Sequence, residues 1–430
     1  MRRRDLLTVA ATSAVAVAAG TAGPAAAGPA VAQGKGHGAK GGVRTGFETL
    51  RRSGYASVTG QRVGIISNPT GIDRELNHIV DVMVADAAVN LVAIFGPEHG
   101  FRGIGQAGEG EEFFIDEKTG LPVYNAYNNS ATMERLFSDL ELDTVVFDIQ
   151  EVGARFYTYI WTMYLALEAA ARLGVKFVVL DRPTPLSGKD AYGPVLHPEH
   201  STFVGLKAIA QQHGMTPGEL ARLYNEVFVP AATGGKRADL HVQRLSGWDR
   251  RMRYTDTGLP WVAPSPNMPT LATADIYVGT CLFEASALSE GRGTTQPFQL
   301  IGAPGIDHRW ERALNAREMP GVRFREAYFK PVFSKQQDKT CGGVEVLITD
   351  VDRFEPIPTA LTMITEQWRL FPEYRWRSQD VTSFWMDKLS GDTRVREAIE
   401  NGTDAADIPE VWHDDLKRFR ALRREFLIYR

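Results

Sequence analysis

Four short apolar runs in the first half of the chain limit most strongly what it can fold into. They lie at 63–66, 91–95, 144–147 and 177–180. Each run is continuous and does not alternate with polar residues, which is typical of strands buried on both faces. Apolar residues at helical spacing separate the runs, at 78–87 and again at 160–171. Strands that alternate with helices predict a parallel α/β sheet with right-handed crossovers.

The loops that follow these four strands predict where a site lies. Each strand runs into a polar segment marked by Gly or Pro, at 67–71, 96–100, 148–155 and 181–185. The carboxyl ends of parallel strands meet at one edge of a sheet, so we expect the four loops to converge on one crevice. None of them carries a dinucleotide fingerprint, a phosphate-binding P-loop or a nucleophile elbow. The sequence therefore predicts no nucleotide or other cofactor.

Composition narrows the class of protein further. Of the 430 residues, 43% are hydrophobic and 23% charged, and the net charge is −4. These values exclude a wholly disordered chain, and the lack of basic excess argues against nucleic acid as a partner. The only cysteines are Cys281 and Cys341. They either pair with each other or remain as two buried thiols.

The N-terminus has the features of an export signal. Three arginines at 2–4 precede an uncharged stretch that reaches about residue 20, and small residues at 25–27 and 30–32 offer cleavage sites. We interpret 1–32 as a signal peptide. The paired arginines and the weakly hydrophobic stretch favour the twin-arginine route. An uncleaved anchor is the alternative, but Ala, Gly and Thr are poor anchors. We expect a secreted or cell-envelope protein without stable membrane insertion after cleavage.

The rest of the chain divides into a linker and two regions. Residues 33–43 contain five glycines and are predicted to be a flexible linker. The segment 261–270 holds three prolines, and the segment 289–298 places Glu290 and Arg292 on either side of Gly291, with Gly293 following Arg292. After residue 302, a strand near 343–348 and helices near 358–370 and 409–426 predict a smaller α/β subdomain over 303–430. The larger domain would then span 44–302.

Several long motifs together resemble one family, the exo-β-N-acetylmuramidases of the NamZ type, also known as the DUF1343 family. The motifs include SNPTG at 67–71, LVAIFGPEHGFRG at 91–103, VVFDIQEVGARFYTYI at 145–160, FVVLDRPTPLSG at 177–188, PSPNMPT at 264–270, SEGRGTTQPFQLIGAP at 289–304 and MDKLSGD at 386–392. The resemblance implies a Rossmann-like domain beside an auxiliary domain, with the site in the cleft between them. It also implies release of terminal N-acetylmuramic acid from the non-reducing end of peptidoglycan fragments.

Catalysis of that reaction calls for carboxyl groups. Glycoside hydrolysis needs an acid that protonates the leaving oxygen, and usually a second carboxylate as base or nucleophile. Glu98 is the predicted acid because it lies in the rigid G-P-E-H-G turn at a strand end; the alternative is that it caps the next helix. Asp148, Glu151 and Glu290 are candidates for the second carboxylate. For Asp148 and Glu151, the alternative is an ion pair with Arg155 that fixes the loop.

Substrate-binding residues are predicted from the same loops. Arg155 or Arg292 would hold the lactyl carboxylate of muramic acid, because a guanidinium binds carboxylates in a bidentate way. Tyr157 would stack on a sugar ring or pack in the core. The remaining candidates are polar side chains in these loops. For Arg182, the alternative is an ion pair that fixes the loop. These candidates are His99, Asn68, Gln150, Arg182 and Asn267.

Three alternatives stay open at this point. The segment His197-Pro198-Glu199-His200 has metal-binding residue types, but its spacing matches no known motif, so no metal is predicted. The chain could instead be an esterase or amidase that acts on cell-wall sugars, although it lacks a nucleophile elbow. It could also bind muropeptides without catalysis, although paired acids at strand ends argue against that. The sequence does not predict an oligomeric state.

Overall fold

The computed structural model of the protein describes residues 42–127, 129–377 and 384–430. The predicted signal peptide, and the linker up to residue 41, lie outside the described residues. Within the described ranges, no helix has both the length and the apolar character needed to cross a membrane.

Twelve strands form three sheets in the described residues. They are β1 (Arg62–Ser67), β2 (Asn90–Gly96), β3 (Phe114–Ile115), β4 (Pro122–Asn125), β5 (Thr144–Asp148), β6 (Lys176–Leu180), β7 (Tyr192–Val195), β8 (Ala210–Gln212), β9 (Asp239–Gln243), β10 (Leu300–Ala303), β11 (Val322–Phe329) and β12 (Cys341–Ile348). The central sheet has the order β3-β4-β2-β1-β5-β6-β9, and all its pairs are parallel except β3 with β4. The α/β fold predicted from the sequence is confirmed.

The four predicted strands form the middle of this sheet because both of its faces are covered. One face packs Phe95, Phe147 and Phe177 into the main core. The other face packs Ile65 and Val178 against the helices at 46–52 and 79–84. Full burial of one such side chain contributes about 1.5–3 kcal/mol, which favours continuous apolar runs here. β9 lies at the sheet edge and is only partly buried, which explains why its sequence gave no comparable signal.

Twelve α-helices surround the sheets in the described residues. They are α1 (Gly46–Arg52), α2 (Ile79–Val84), α3 (Ser130–Asp139), α4 (Tyr159–Leu173), α5 (Pro217–Leu223), α6 (Val229–Ala232), α7 (Leu271–Thr280), α8 (His308–Ala316), α9 (Pro356–Leu370), α10 (Trp385–Ser390), α11 (Thr393–Glu400) and α12 (His413–Arg424). Two predicted boundaries are confirmed. Gly174 ends α4 with φ +74°, and Thr216 starts α5 with a capping box to Glu219.

The C-terminal part contains its own antiparallel sheet, ordered β10-β12-β11. The predicted strand near 343–348 is β12, and the predicted helix near 358–370 is α9. The last predicted helix divides into a short 3₁₀ turn, Ile408–Trp412, and α12. Cys281 and Cys341 are both buried and free, so the two thiols do not form a disulfide.

Candidate active site

A cavity of about 210 Å³ lies where the loop after β2 meets the start of α4, the proline-rich loop and the end of α7. It includes residues from both halves of the chain. Its lining residues are Glu98, His99, Ala107, Gly108, Phe156, Tyr157, Thr158, Phe203, Val204, Ser265, Asn267, Met268, Tyr277, Cys281, Glu284, Arg292, Phe298, Trp385 and Leu389. Five of the residues predicted from the sequence are therefore brought together: Glu98, His99, Tyr157, Asn267 and Arg292.

Glu98 is held in the cavity wall by two hydrogen bonds. Its side chain is 8% exposed. One carboxylate oxygen accepts the backbone N–H of Gly108 at 2.6 Å, and the other accepts the hydroxyl of Thr158. Thr158 precedes α4 but makes no cap bond to that helix. Its hydroxyl donates a hydrogen bond to Glu98 instead, so the carboxyl group has a defined orientation toward the cavity.

A second carboxylate supports the turn that carries Glu98. Glu111 accepts the backbone N–H of Phe101 at 2.8 Å, and a Cβ at Gly96 would lie only 1.7 Å from its Oε1. Glycine is therefore required at the end of β2. Burial raises the pKa of Glu111 to about 7. Glu111 lies under the turn and does not line the cavity, so its role is to position the backbone.

His99 fixes the loop that covers Glu98. It adopts φ +70°, a left-handed conformation that a residue with a side chain seldom adopts. Its Nδ1 lies 2.8 Å from the carbonyl oxygen of Gly105, and its backbone N–H donates to Glu109 at 2.8 Å. Because a carbonyl only accepts, Nδ1 carries the proton. These bonds bring the following loop, with Gly108, against the Glu98 carboxylate.

A chain of four charges forms another wall of the site. Glu284 is 2.7 Å from Arg292, which is 3.2 Å from Glu290, which in turn is 2.8 Å from Lys335. Glu284 and Arg292 line the cavity, with side chains 20% and 16% exposed, whereas Glu290 is 3% exposed and lies behind them. Burial alone would lower the pKa of Arg292, but Glu284 and Glu290 outweigh it and raise the pKa. Arg292 is therefore permanently charged.

Glu284 is the cavity carboxylate that the sequence analysis missed. It lies in the short 3₁₀ helix Cys281–Ala285, directly after α7. Its one signal in the sequence is that it is the only charged residue in the apolar stretch 276–289. A carboxylate in such a stretch must have a partner. The partner, Arg292, comes from the next loop.

The structure corrects the prediction for two of the proposed second carboxylates. Asp148 is fully buried and forms a bidentate pair with Arg182, with one contact at 3.1 Å between Oδ2 and Nη2. Glu151 is 1% exposed, accepts the backbone N–H of Gly153, and lies 3.3 Å from His213. Neither residue lines the cavity. Both acids stabilise the loop after β5.

Arg155 and Arg182 are likewise structural in this arrangement. Arg155 is completely buried, and its guanidinium donates to the backbone carbonyls of Pro194, Ile209 and Leu389 at 2.6–3.1 Å. Arg182 pairs with Asp148 instead of facing a substrate. The prediction that Arg155 holds a substrate carboxylate is therefore not supported, because Arg155 is completely buried and does not line the cavity.

Two amide side chains that were predicted to bind substrate, Asn68 and Gln150, instead hold loops of the fold together. Asn68 accepts the backbone N–H of Thr70 at 3.0 Å and donates to Pro264 at 3.4 Å, which ties the loop after β1 to the proline-rich loop. Gln150 donates to the carbonyls of Glu151 and Pro183. Neither lines the cavity, so neither is placed to contact a sugar there.

Tyr157 and Asn267 remain as polar groups that face the cavity. The hydroxyl of Tyr157 and the amide nitrogen of Asn267 are buried and have no hydrogen-bond partner among the described residues. Burial raises the pKa of Tyr157, so its phenol stays protonated and can donate. A buried donor without a partner is costly, and because these two line the cavity they are candidates to donate to a ligand.

The histidine-rich segment at 197–200 forms an ion-paired link. His197, Asp392 and Asp415 place three possible ligand atoms within 4.8 Å of one another. The guanidinium of Arg394 lies among them, 2.7 Å from Asp392 and 2.8 Å from Asp415. This cation neutralises the carboxylates and takes the space that a metal ion would need. The cluster connects the segment to α11 and α12.

A larger cavity, about 410 Å³, lies elsewhere and contains none of the predicted site residues. Among its charged groups, Arg253 pairs with Asp275 at 3.1 Å and with Asp352 at 3.2 Å. We assign the active site to the smaller cavity because it contains unpartnered buried donors and two carboxylates at its surface.

Comparisons with known proteins cover both halves of the chain. Family models described as the N-terminal and C-terminal parts of exo-beta-N-acetylmuramidase NamZ match residues 63–272 and 276–429. The chain is 45% identical, over 90% of its length and 91% of the relative, to peptidoglycan beta-N-acetylmuramidase NamZ of Bacillus subtilis. Two crystal structures of DUF1343 family proteins from Bacteroides fragilis each cover 90% of this chain and 99% of their own. Their TM-scores are 0.81 and 0.70, at 34% and 30% identity.

Proposed function

The chain belongs to the NamZ family of exo-β-N-acetylmuramidases, and on this premise we propose that it releases terminal N-acetylmuramic acid from peptidoglycan fragments. Because the chain belongs to this family, it is a glycosidase that hydrolyses peptidoglycan. The finer proposal is that it acts from the non-reducing end, with Glu98 as the acid. The single observation that carries it is the oriented carboxyl group of Glu98 in the wall of a small cavity.

The size of the cavity supports an exo-acting enzyme. A volume of about 210 Å³ is at the small end of ligand cavities, which are commonly about 300–1,000 Å³, and this favours a site for one sugar ring. An enzyme that cut within a glycan strand would need an open groove with room for sugars on both sides of the cut. We therefore propose that one terminal residue enters and is removed.

The chemistry follows from the charges along the wall. Glu98 would protonate the oxygen of the leaving sugar, as a general acid does in glycoside hydrolysis. The second carboxylate would be Glu284, since it lies at the cavity surface beside Arg292. Arg292, 2.7 Å from Glu284, orients its carboxylate at the cavity surface. Glu290 would act behind this pair by holding Arg292 in place.

Recognition of muramic acid would depend on Arg292. Its Nε faces Glu290 and its Nη2 donates to Glu284, whereas Nη1 makes no hydrogen bond within the described ranges. The lactyl carboxylate that distinguishes N-acetylmuramic acid from N-acetylglucosamine can bind there. A partly buried Arg–carboxylate hydrogen bond contributes about 1.5–3 kcal/mol.

Selectivity between two nitrophenyl glycosides tests the function and this recognition together. We expect kcat/KM to be at least about tenfold higher for the N-acetylmuramic acid glycoside than for the N-acetylglucosamine glycoside, since each 1.4 kcal/mol is worth a factor of ten. Arg292→Lys should reduce the ratio. The matched control is Arg309→Lys, at an exposed arginine outside the cavity. Equal kcat/KM values for the two glycosides in the wild-type protein would contradict the role of Arg292, and no turnover of either would contradict the function.

Export by the twin-arginine route is a further part of the proposal. It is supported by Arg3 and Arg4 before Asp5-Leu6-Leu7, and by the substrate, which lies outside the cytoplasm. Replacing Arg3 and Arg4 by Lys should leave uncleaved precursor in the cytoplasm on a fractionation blot. Arg2→Lys, which keeps the pair, should export normally. Normal export of the double variant would show that another route is used.

A further inference from the structure

Two aromatic side chains lie at the opening of the active-site cavity. Phe203 is 38% exposed and Trp385 is half-buried, whereas Glu98 and Asn267, which line the same cavity, are 8% and 6% exposed. The centroids of the Phe203 and Trp385 rings are 5.9 Å apart, and the rings are tilted by 42°. The lining thus has a buried inner part with polar groups and a more exposed outer part with two rings.

The backbone around Phe203 holds its ring outward. Thr202 and Gly205 exchange two backbone hydrogen bonds of 2.9 Å, which makes a tight turn with Phe203 and Val204 at its tip. Val204 is 7% exposed and packs into the main core. Phe203, beside it in the same turn, is 38% exposed and lines the cavity. The buried side chain of Val204 thus anchors the turn that presents Phe203.

Trp385 comes from the other half of the chain and is anchored just as firmly. It is the first residue of α10, and the ammonium of Lys388 lies 5.4 Å from its ring. Arg155 donates to the carbonyl of Leu389, also in α10, and to that of Pro194 in β7. This buried guanidinium thus connects the helix that carries Trp385 to the strand that leads toward Phe203.

The histidine-rich segment provides a second connection. The backbone N–H of His197 donates to Gly391, the residue that ends α10, at 2.9 Å. His200 Nε2 lies 3.0 Å from the hydroxyl of Thr393. These contacts join the segment immediately before Phe203 to the residues immediately after α10. The two backbone segments that carry the rings are thus joined directly, which reduces the ordering needed before a ligand binds.

We propose that Phe203 and Trp385 form the binding platform for the sugar on the leaving-group side of the cut bond. This inference rests on the proposed function, because it assumes that the terminal muramic acid fills the inner cavity. The next sugar, a 2-acetamido hexose in peptidoglycan, then lies at the opening. The C–H groups on the face of a pyranose ring pack well against the electron-rich face of an aromatic ring. Two tilted rings offer such a sugar one apolar surface on each of two sides.

Kinetics with and without a leaving sugar test this platform. The first substrate is the disaccharide of N-acetylmuramic acid and N-acetylglucosamine, and the second is the β-fluoride of N-acetylmuramic acid, whose leaving group is a single atom. Phe203→Leu keeps apolar volume but removes the flat face, and Trp385→Leu does the same on the other side. We expect each to lower kcat/KM for the disaccharide by about tenfold, in line with loss of one aromatic contact, and to change the fluoride rate less than twofold.

Two controls separate failure of the platform from failure of the proposed function. Tyr328→Leu removes an aromatic ring that is 66% exposed and does not line the cavity, and it should leave both rates unchanged. Trp385→Phe keeps a flat ring and should recover most of the disaccharide rate. Equal losses on both substrates, or no loss on the disaccharide, would overturn the platform while the wild-type protein still cleaves both. If the wild-type protein cleaves neither substrate, the proposed function itself is wrong.

Discussion

Replacing Glu98 by Gln should lower kcat on the natural disaccharide by about a thousandfold, because a general acid contributes about 10²–10⁴ in rate. Glutamine has the same shape, and its amide oxygen can still accept the N–H of Gly108. Its NH₂ group can donate to Thr158 where the carboxylate now accepts. The fold should therefore be unchanged, which circular dichroism and the midpoint of thermal unfolding can verify.

The leaving group distinguishes an acid from a nucleophile. A nitrophenolate leaves without protonation, so Glu98→Gln should lose much less activity on the nitrophenyl glycoside than on the disaccharide. The matched control is Glu109→Gln, at an exposed carboxylate in the same loop that accepts a backbone N–H from Gln106. Equal loss on both substrates would make Glu98 the nucleophile or base, and the acid would then have to be Glu284. Full activity of the variant on both would exclude Glu98 from catalysis.

Replacing Asp148 by Asn should destabilise the protein by about 3–5 kcal/mol, because it leaves the buried guanidinium of Arg182 without a counter-charge. Asp148 is fully buried and Arg182 is 3% exposed. The pair connects the ends of the neighbouring strands β5 and β6, and Arg182 also donates to the carbonyl of Ile72 at 3.0 Å. The free energy of unfolding in urea measures the effect.

Activity per folded molecule tests the structural role of Asp148 against the catalytic role predicted from the sequence. Under conditions where Asp148→Asn is folded, its kcat on the nitrophenyl glycoside should stay within about threefold of the wild-type value, since Asp148 lies outside the cavity. The double variant Asp148→Asn with Arg182→Met removes both charges and should recover part of the lost stability. A stable but inactive Asp148→Asn variant would show that Asp148 takes part in catalysis.

The sequence predicted the central strands well because each is buried on both faces, which leaves a continuous apolar run. It also predicted that the four terminal loops converge on one crevice. The loops after β1, β5 and β6 do contact one another through Gln150, but only the loop after β2 lines the cavity, with Glu98 and His99. It could not tell which acids at the strand ends are paired. Asp148 ends β5 and Glu98 follows β2 in the same sheet, but Arg182, which follows β6, neutralises only Asp148.

The sequence also could not tell which cations are bonded within the protein, as Arg155 shows. Its position at a strand-end loop suggested a ligand, yet three backbone carbonyls that are distant in sequence use its donors. Glu284 shows the opposite case. It has no polar motif around it, and only its pairing with Arg292 in space brings it to the cavity wall. Long-range pairing of charges depends on tertiary packing, which periodicity and motif spacing do not encode.

The most direct test of the central claim is product analysis on a defined glycan chain. A peptidoglycan tetrasaccharide that begins with N-acetylmuramic acid and carries a label at the reducing end should be incubated with the wild-type protein and followed by mass spectrometry. A cavity for one sugar, with Glu98 in its wall, predicts free N-acetylmuramic acid and a labelled trisaccharide as the only first products. Release of disaccharides, or cleavage inside the chain, would contradict this account of the site.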